Sequence, residues 1–215
     1  MKKYLCTHVC ALLLFSSSSC FAADTVFSNL SPAGTIYNSG YTLGSSWTQG
    51  FGFTAGSIDE ALTSIQIVLG NINPASNLPG APVISLYTAG SGDWSVGTLL
   101  ESWTVDASTL NPTESGNNTK TVTTLASVSH PLLSAGSNYW IIGTNGPGTN
   151  TGWYYNNLSD KQPYYSMGAI YPPSAGYLSG AFAVNAAPVP EPETCAMMLA
   201  GLGMVGWMAR RRRAA

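Results

Sequence analysis

The stretch SIQIVLG, Ser64 to Gly70, sets Ile65, Ile67 and Leu69 two residues apart. Successive side chains of a strand point to opposite sides, so this spacing gathers all three on one face and predicts a strand with one buried side. VISLYT (83–88) repeats the pattern with Ile84 and Leu86, and GAFAVNA (180–186) repeats it with Phe182 and Val184. Clusters of Gly, Pro, Asn and Ser separate these segments: NPASNLPGAP (73–82), TAGSGDWSVG (88–97), NPTESGNN (111–118), NGPGTNTG (145–152) and YPPSAG (171–176). Such clusters mark turns. No helical periodicity is sustained before Thr194. Many short strands between Gly/Pro turns predict an all-β fold, a two-sheet jelly-roll-like β-sandwich in preference to a closed barrel.

Longer stretches refine the expectation. GYTLGSSWTQGFGFTAGS (40–57) reads as a hairpin or strand pair, with Trp47, Phe51 and Phe53 adding core mass. PGAPVISLYTAGSGDWSVGTLLESWTV (79–105) reads as a second pair, and LLSAGSNYWIIGTNG (132–146) as a turn leading into a central strand from Tyr139 to Ile142. The last strand is expected to end near Ala186, with APVP following directly.

The two termini read differently from the body. MKKYLCTHVCALLLFSSSSCFAAD opens with Lys2 and Lys3, runs apolar to Phe15 and then turns small and polar, the order of a secretory signal peptide. A cut after Ala22 sets Cys20 at −3 and Ala22 at −1, both small; a cut after Ala23 would set bulky Phe21 at −3. Acylation of Cys20 is the rival, and it calls for a leucine where Ser17 stands. Residues 1–22 are therefore assigned to the signal, 23–187 to an extracytoplasmic sandwich and 188–215 to a separate tail. Loss of the signal removes Cys6, Cys10, Cys20 and His8, leaving Cys195 and His130. One cysteine closes no intrachain disulfide.

Between residues 23 and 189 stand eight acidic side chains and two lysines, Lys120 and Lys161, a formal charge of −6. The other six bases, Lys2, Lys3 and Arg210 to Arg213, all lie in the terminal segments. A surface of this sign has no footprint for phosphate backbones, so nucleic acid is excluded as a partner.

The tail VPEPETCAMMLAGLGMVGWMARRRRAA (189–215) combines Pro190-Glu191-Pro192, an apolar run from Thr194 to Ala209 and the cluster Arg210, Arg211, Arg212 and Arg213. Sixteen residues make a helix of roughly 24 Å at about 1.5 Å per residue. A bilayer core of about 30 Å asks for about 20, so this is a short transmembrane helix, which snorkelling arginine stems extend. The arginines would stay on the cytoplasmic side. Gly201, Gly203 and Gly206 permit close approach of another helix. In this order of parts the tail resembles the PEP-CTERM sorting signal. The resemblance implies that Pro190, Glu191 and Pro192 are the motif recognised by the membrane enzyme exosortase and that Arg210 to Arg213 stop transfer. Family members often carry an aromatic residue where this chain has Cys195. Upstream, the early YTL…F and the late L-x-x-G-x-x-Y-W patterns resemble choice-of-anchor β-sandwich domains, a resemblance that brings no active site.

Catalytic chemistry finds little material. His130, before Pro131 in SVSHPLL (127–133), is the single histidine of the body, and no Gly-x-Ser-x-Gly elbow is present. Asp93, Glu114 and Asp160 fall in turns, and adjacent Asp59 and Glu60 point to opposite faces of any strand. A glycosidase needs two carboxyls converging across a cleft, so no enzyme is expected. Without a His/Cys cluster no cofactor or transition metal is expected; structural calcium, bound through the loops at Asp93 and Asp160, is the one metal the oxygen-rich turns suit. Trp94 in its Gly-rich turn and the row Trp153, Tyr154 and Tyr155 are candidate glycan contacts, with core packing as the alternative.

The expected protein is an exported, transiently anchored component of the cell surface or extracellular matrix with a structural role in biofilm or exopolysaccharide. Its partners are the Sec machinery, signal peptidase, exosortase and exopolysaccharide. A carbohydrate-binding module of that matrix is the alternative, and a hydrolase comes last.

Overall fold

β-branched and aromatic side chains at alternate positions favour extended backbone because each pleat face then packs against a second layer. The computed structural model, which describes residues 23–32, 39–71, 81–90, 94–106, 109–110, 122–146, 151–156, 158–189 and 192–213, realises this as two antiparallel sheets. The first holds β1 (Asp24–Ser28), β2 (Gly40–Leu43), β4 (Glu60–Asn71), β7 (Val122–Ala126), β8 (Leu132–Leu133), β10 (Thr151–Tyr154) and β13 (Phe182–Pro188). The second runs in the order β12 (Ala169–Tyr171), β11 (Tyr164–Ser166), β3 (Gln49–Thr54), β9 (Asn138–Thr144), β5 (Val83–Ala89) and β6 (Val96–Thr104). A helix, α1 (Pro192–Arg213), closes the chain.

The predicted faces meet in one core. Ile65, Ile67, Leu69, Phe182 and Val184 from the first sheet pack with Phe51, Phe53, Ile84, Leu86, Tyr139 and Ile141 from the second. Register explains why these sets coincide: Ile65 pairs with Val184 and Ile67 with Phe182 across β4 and β13, so one slip would turn both strands' apolar sets outward. The sheets touch through Phe51 edge-on to Trp153 at 4.8 Å and 89°, and through Phe53 against Phe182 at 6.2 Å. Full burial of each such side chain contributes about 1.5–3 kcal/mol. β9 lies between β3 and β5, the central position its sequence suggests.

Three expectations differ from the structure: the pairing of β2 with β3, the place of Trp47 and the end of β13. β2 and β3 are not partners: after a tight turn closed by the Gly44–Trp47 bridge, the chain passes from the first sheet to the second. Trp47 sits in that turn and is 53% exposed, so it adds no core mass. The tail does form a helix, but no helix among the described residues is long and apolar enough to cross a membrane. β13 also runs two residues beyond Ala186, to Pro188. The signal segment and its cleavage position after Ala22 lie outside the described residues.

Candidate sorting site and aromatic clusters

The tail leaves the sandwich from an interior position of the first sheet. β13 is flanked by β1 on one side and β4 on the other, and Ala186 pairs with Asp24 and with Leu62. Ala187 pairs with Ala61 and Pro188 with Glu60, after which the Val189 amide donates to the Asp59 carbonyl at 3.3 Å. Asp59 is itself fixed, its carboxylate accepting from the Ala135 amide at 2.8 Å. Glu60, only 6% exposed, has its carboxyl pushed above the usual range by burial first and then by the nearby Asp24. Adjacent Asp59 and Glu60 thus face opposite ways, one to solvent and one inward, as strand alternation requires.

Pro190 and Glu191 lie outside the described residues, and Pro192 is the first residue of α1. A proline suits that place, since its missing N–H would find no helical partner there. Along α1 the large apolar side chains stand open: Leu199, Met204, Val205 and Trp207 are at least 60% exposed, and Met198, Leu202 and Met208 are half-exposed. These open apolar positions lie on several faces of the helix. At Gly201, Gly203 and Gly206 an added Cβ would meet nothing within 4 Å, so these positions leave room for a neighbour. The Arg211 guanidinium lies 5.4 Å over the Trp207 ring, a cation–π contact at the start of the basic cluster. The side chains of Arg212 and Arg213 are outside the described set, as is that of Cys195.

Residues 188–213 match the family model of the PEP-CTERM protein-sorting motif. The match begins at Pro188, the very residue on which β13 ends, so the sorting motif and the folded domain share a boundary with no spacer. A PEP-CTERM tail makes this an exported protein sorted by exosortase to the cell surface. No curated protein matches the chain in sequence.

The four candidate glycan contacts are not brought together. Trp153 is completely buried between the sheets, against Phe51 and Phe182, with its Nε1 donating to the Ala181 carbonyl at 3.3 Å. Gly180 makes the room: a Cβ there would come within 2.4 Å of Trp153 Nε1. Tyr154 points to the other face, where Val68, Ala181 and Leu30 cover it. Both are core residues, and a sugar face has no access to either. Tyr155 is half-buried and meets the Tyr41 ring edge-on at 4.8 Å. Tyr41 in turn stacks on Tyr164, and Tyr164 on Tyr171, with exposed Tyr177 alongside. The Tyr41 hydroxyl donates to the Leu178 carbonyl at 2.9 Å. Burial, and then Tyr164, Tyr155 and Tyr177, hold the Tyr41 phenol far above its ordinary pKa. Runs of tyrosine are visible in the sequence, but the convergence of Tyr41 of β2, Tyr155 just after β10, Tyr164 of β11 and Tyr171 of β12 is not.

Trp94 lies elsewhere, on the outer face of the second sheet. Its backbone is in the left-handed region at φ 62, costly for a bulky residue. Its carbonyl accepts from Trp140 Nε1 at 3.0 Å, and its ring meets that of Trp140 edge-on at 5.7 Å. Gly52 forms the floor, since a Cβ there would lie 2.3 Å from the Trp94 ring. Trp94 keeps part of its surface open.

The acidic residues hold structure. Glu101 accepts from Ser127 Oγ at 2.6 Å, from the Val128 amide at 2.7 Å and from the Ser129 amide at 3.2 Å. Burial alone would raise its pKa, yet these bonds together bring it below the usual carboxylate range. The Asp160 carboxylate accepts from Gln162 Nε2 and from Asn29 Nδ2 at 3.2 Å, so amides already engage it; Asp93 and Glu114 lie outside the described residues. Among the described residues no three His, Cys, Asp or Glu side chains gather as metal ligands. His130 ends a turn at φ 47, with Nδ1 2.9 Å from the Leu62 carbonyl. An open polar groove between Thr88–Gly90 and Ser134–Tyr139 contains none of the candidate site residues.

Proposed function

We propose that this protein is a non-enzymatic structural component of the extracellular or biofilm matrix, carried out by a signal peptide and tethered briefly by α1. Exosortase then processes it at Pro190-Glu191-Pro192. The observation that carries the reading is the abutment of a complete β-sandwich on a PEP-CTERM motif. β13 ends at Pro188, two residues before Pro190-Glu191-Pro192, so a cut at those three residues costs the sandwich no strand. The open apolar side chains of α1 and its arginines suit a temporary tether, and the acidic body suits a product released into a polymer rather than one held on anionic lipid. Carboxylates tied into turns, and a histidine facing a backbone carbonyl, favour a role without catalysis. The test is fractionation in a host with and without its exosortase. The wild-type chain should appear outside cells only when the enzyme is present; equal release from both hosts refutes the reading.

A second reading, glycan binding within the same matrix, now rests on Trp94 rather than on the buried Trp153 and Tyr154. Its support is a strained backbone and a glycine floor that present an aromatic ring to solvent. Trp94→Ala should then abolish retention on insoluble polysaccharide. A mature domain that stays in the supernatant with every glycan removes this reading.

A further inference from the structure

Five tyrosine rings meet at the end of the sandwich where β13 begins. Tyr41 stacks on Tyr164 at 4.8 Å, Tyr164 stacks on Tyr171 at 5.6 Å, and Tyr155 meets Tyr41 edge-on. Tyr177 joins from outside the strands, 4.9 Å from Tyr164 and 5.1 Å from Tyr171. Phenylalanine would fill the same space, so the hydroxyls need an account. Two of them serve the fold: Tyr41 donates to the Leu178 carbonyl and Tyr164 to Gln49 Oε1. The outer three differ. Among the described residues no hydrogen bond engages the hydroxyls of Tyr155, Tyr171 or Tyr177. Tyr177 is 43% exposed, and Tyr155 and Tyr171 are half-buried. The cluster is core on its inner side and, on its outer side, aromatic carbon edged with phenol groups.

The exposed ring is held in place. Residues 172–177 are open to solvent throughout, yet the short turn Pro173–Ala175 and Gly176, in the left-handed region at φ 87, bring the chain back so that Tyr177 lies against two rings. An aromatic side chain fixed before its ligand arrives loses little freedom on binding. We propose that the outer side of this cluster, formed by Tyr155, Tyr171 and Tyr177, binds an uncharged polysaccharide, with the rings against the C–H faces of the sugars and the phenol groups bonding their hydroxyls. Charge sets the ligand class. The rings contact one another and no charged side chain, and the nearby Asp160 carboxylate is already bonded by Gln162 and Asn29. A body of formal charge −6 repels a polyanion. The seven residues of β13, at about 3.3 Å each, set the cluster roughly 20 Å from the point where the tail leaves the sheet. The site therefore faces away from any tether. The proposal rests on the glycan reading and adds to Trp94 a second, separate contact.

The full chain, as wild type, Tyr177→Ala, Tyr177→Phe and Trp94→Ala, is titrated against insoluble cellulose, curdlan and chitin, with Tm measured for each variant. Tyr177→Ala should weaken retention roughly tenfold, about 1.4 kcal/mol, while Tyr177→Phe keeps most of it. That loss at unchanged Tm supports the site whether or not Trp94→Ala also lowers retention. If Tyr177→Ala lowers Tm, the wild type decides: soluble oligosaccharide of the retained glycan should protect Tyr177 from nitration by tetranitromethane, and equal nitration with and without it overturns the site. Retention that Tyr177→Ala leaves unchanged and Trp94→Ala abolishes overturns the tyrosine site and leaves the glycan reading on Trp94. A wild-type chain that stays in the supernatant with all three polysaccharides overturns both.

Discussion

Replacing Trp153 with alanine separates a core residue from a sugar-binding one. The side chain is wholly buried, bridges the two sheets through Phe51 and Phe182, and gives its Nε1 hydrogen to the Ala181 carbonyl. Truncation removes the largest piece of that interface, and Gly180 beside it has no side chain with which to fill the space. Large-to-small core changes of this type cost about 3–5 kcal/mol. In a domain of this size each kcal/mol lowers Tm by about 2–4 °C, so the expected fall is roughly 6–20 °C. Trp153→Phe keeps a ring in place and should lose less than half as much. Differential scanning calorimetry on the mature chain reads both. A Tm for Trp153→Ala within about 2 °C of wild type, together with lost polysaccharide retention, would refute the core assignment and restore the residue as a contact.

Other consequences follow from single contacts. Gly52→Ala should displace the Trp94 ring and destabilise the outer face by about 1–3 kcal/mol; an unchanged near-ultraviolet circular dichroism spectrum would contradict that seat for Trp94. Glu101 is held below its unfolded pKa, so its contribution is full above about pH 4.3 and disappears as pH falls through the folded value. Glu101→Gln should therefore cost about 1 kcal/mol at pH 7, allowing for partial exposure, and progressively less as pH falls through the folded value, as read from urea midpoints; a loss that does not change with pH would contradict the assignment. Tyr41 is displaced upward, so its stabilising effect is present below about pH 10 and lost as pH rises toward its folded value. Absorbance titration should show a late tyrosinate fraction that Tyr41→Phe reduces, since Tyr154, Tyr155 and Tyr164 are also raised by burial, whereas one transition near the ordinary value in both proteins would contradict the burial.

What the sequence made legible was local. Ile65, Ile67 and Leu69 declare their shared face through spacing alone, and the same holds for Ile84 with Leu86 and Phe182 with Val184. The tail was readable for a related reason, since its three parts follow one another in order. Partner choice was not legible. GYTLGSSWTQGFGFTAGS looks like a hairpin until the Gly44–Trp47 turn sends its halves into different sheets. Trp153 and Tyr154 looked like an open aromatic row because alternation reveals that two faces exist and not what covers each. Here the second sheet covers one, and Leu30, arriving from the loop after β1, covers the other. The tyrosine cluster joins β2 to the β11–β12 pair more than 100 residues on, and the Glu101 site needs β6 beside the turn after β7.

The central claim is that Pro190-Glu191-Pro192 directs processing of a domain already complete at Pro188. Intact mass spectrometry of protein recovered from medium and membranes tests it, comparing wild type with a variant in which those three residues are alanine. The account predicts a released wild-type species that starts at Ala23, retains the whole of β13 and lacks the arginine cluster, and no such species from the variant. A membrane-bound chain that retains Arg210 to Arg213 in both would contradict it and make the tail a plain anchor.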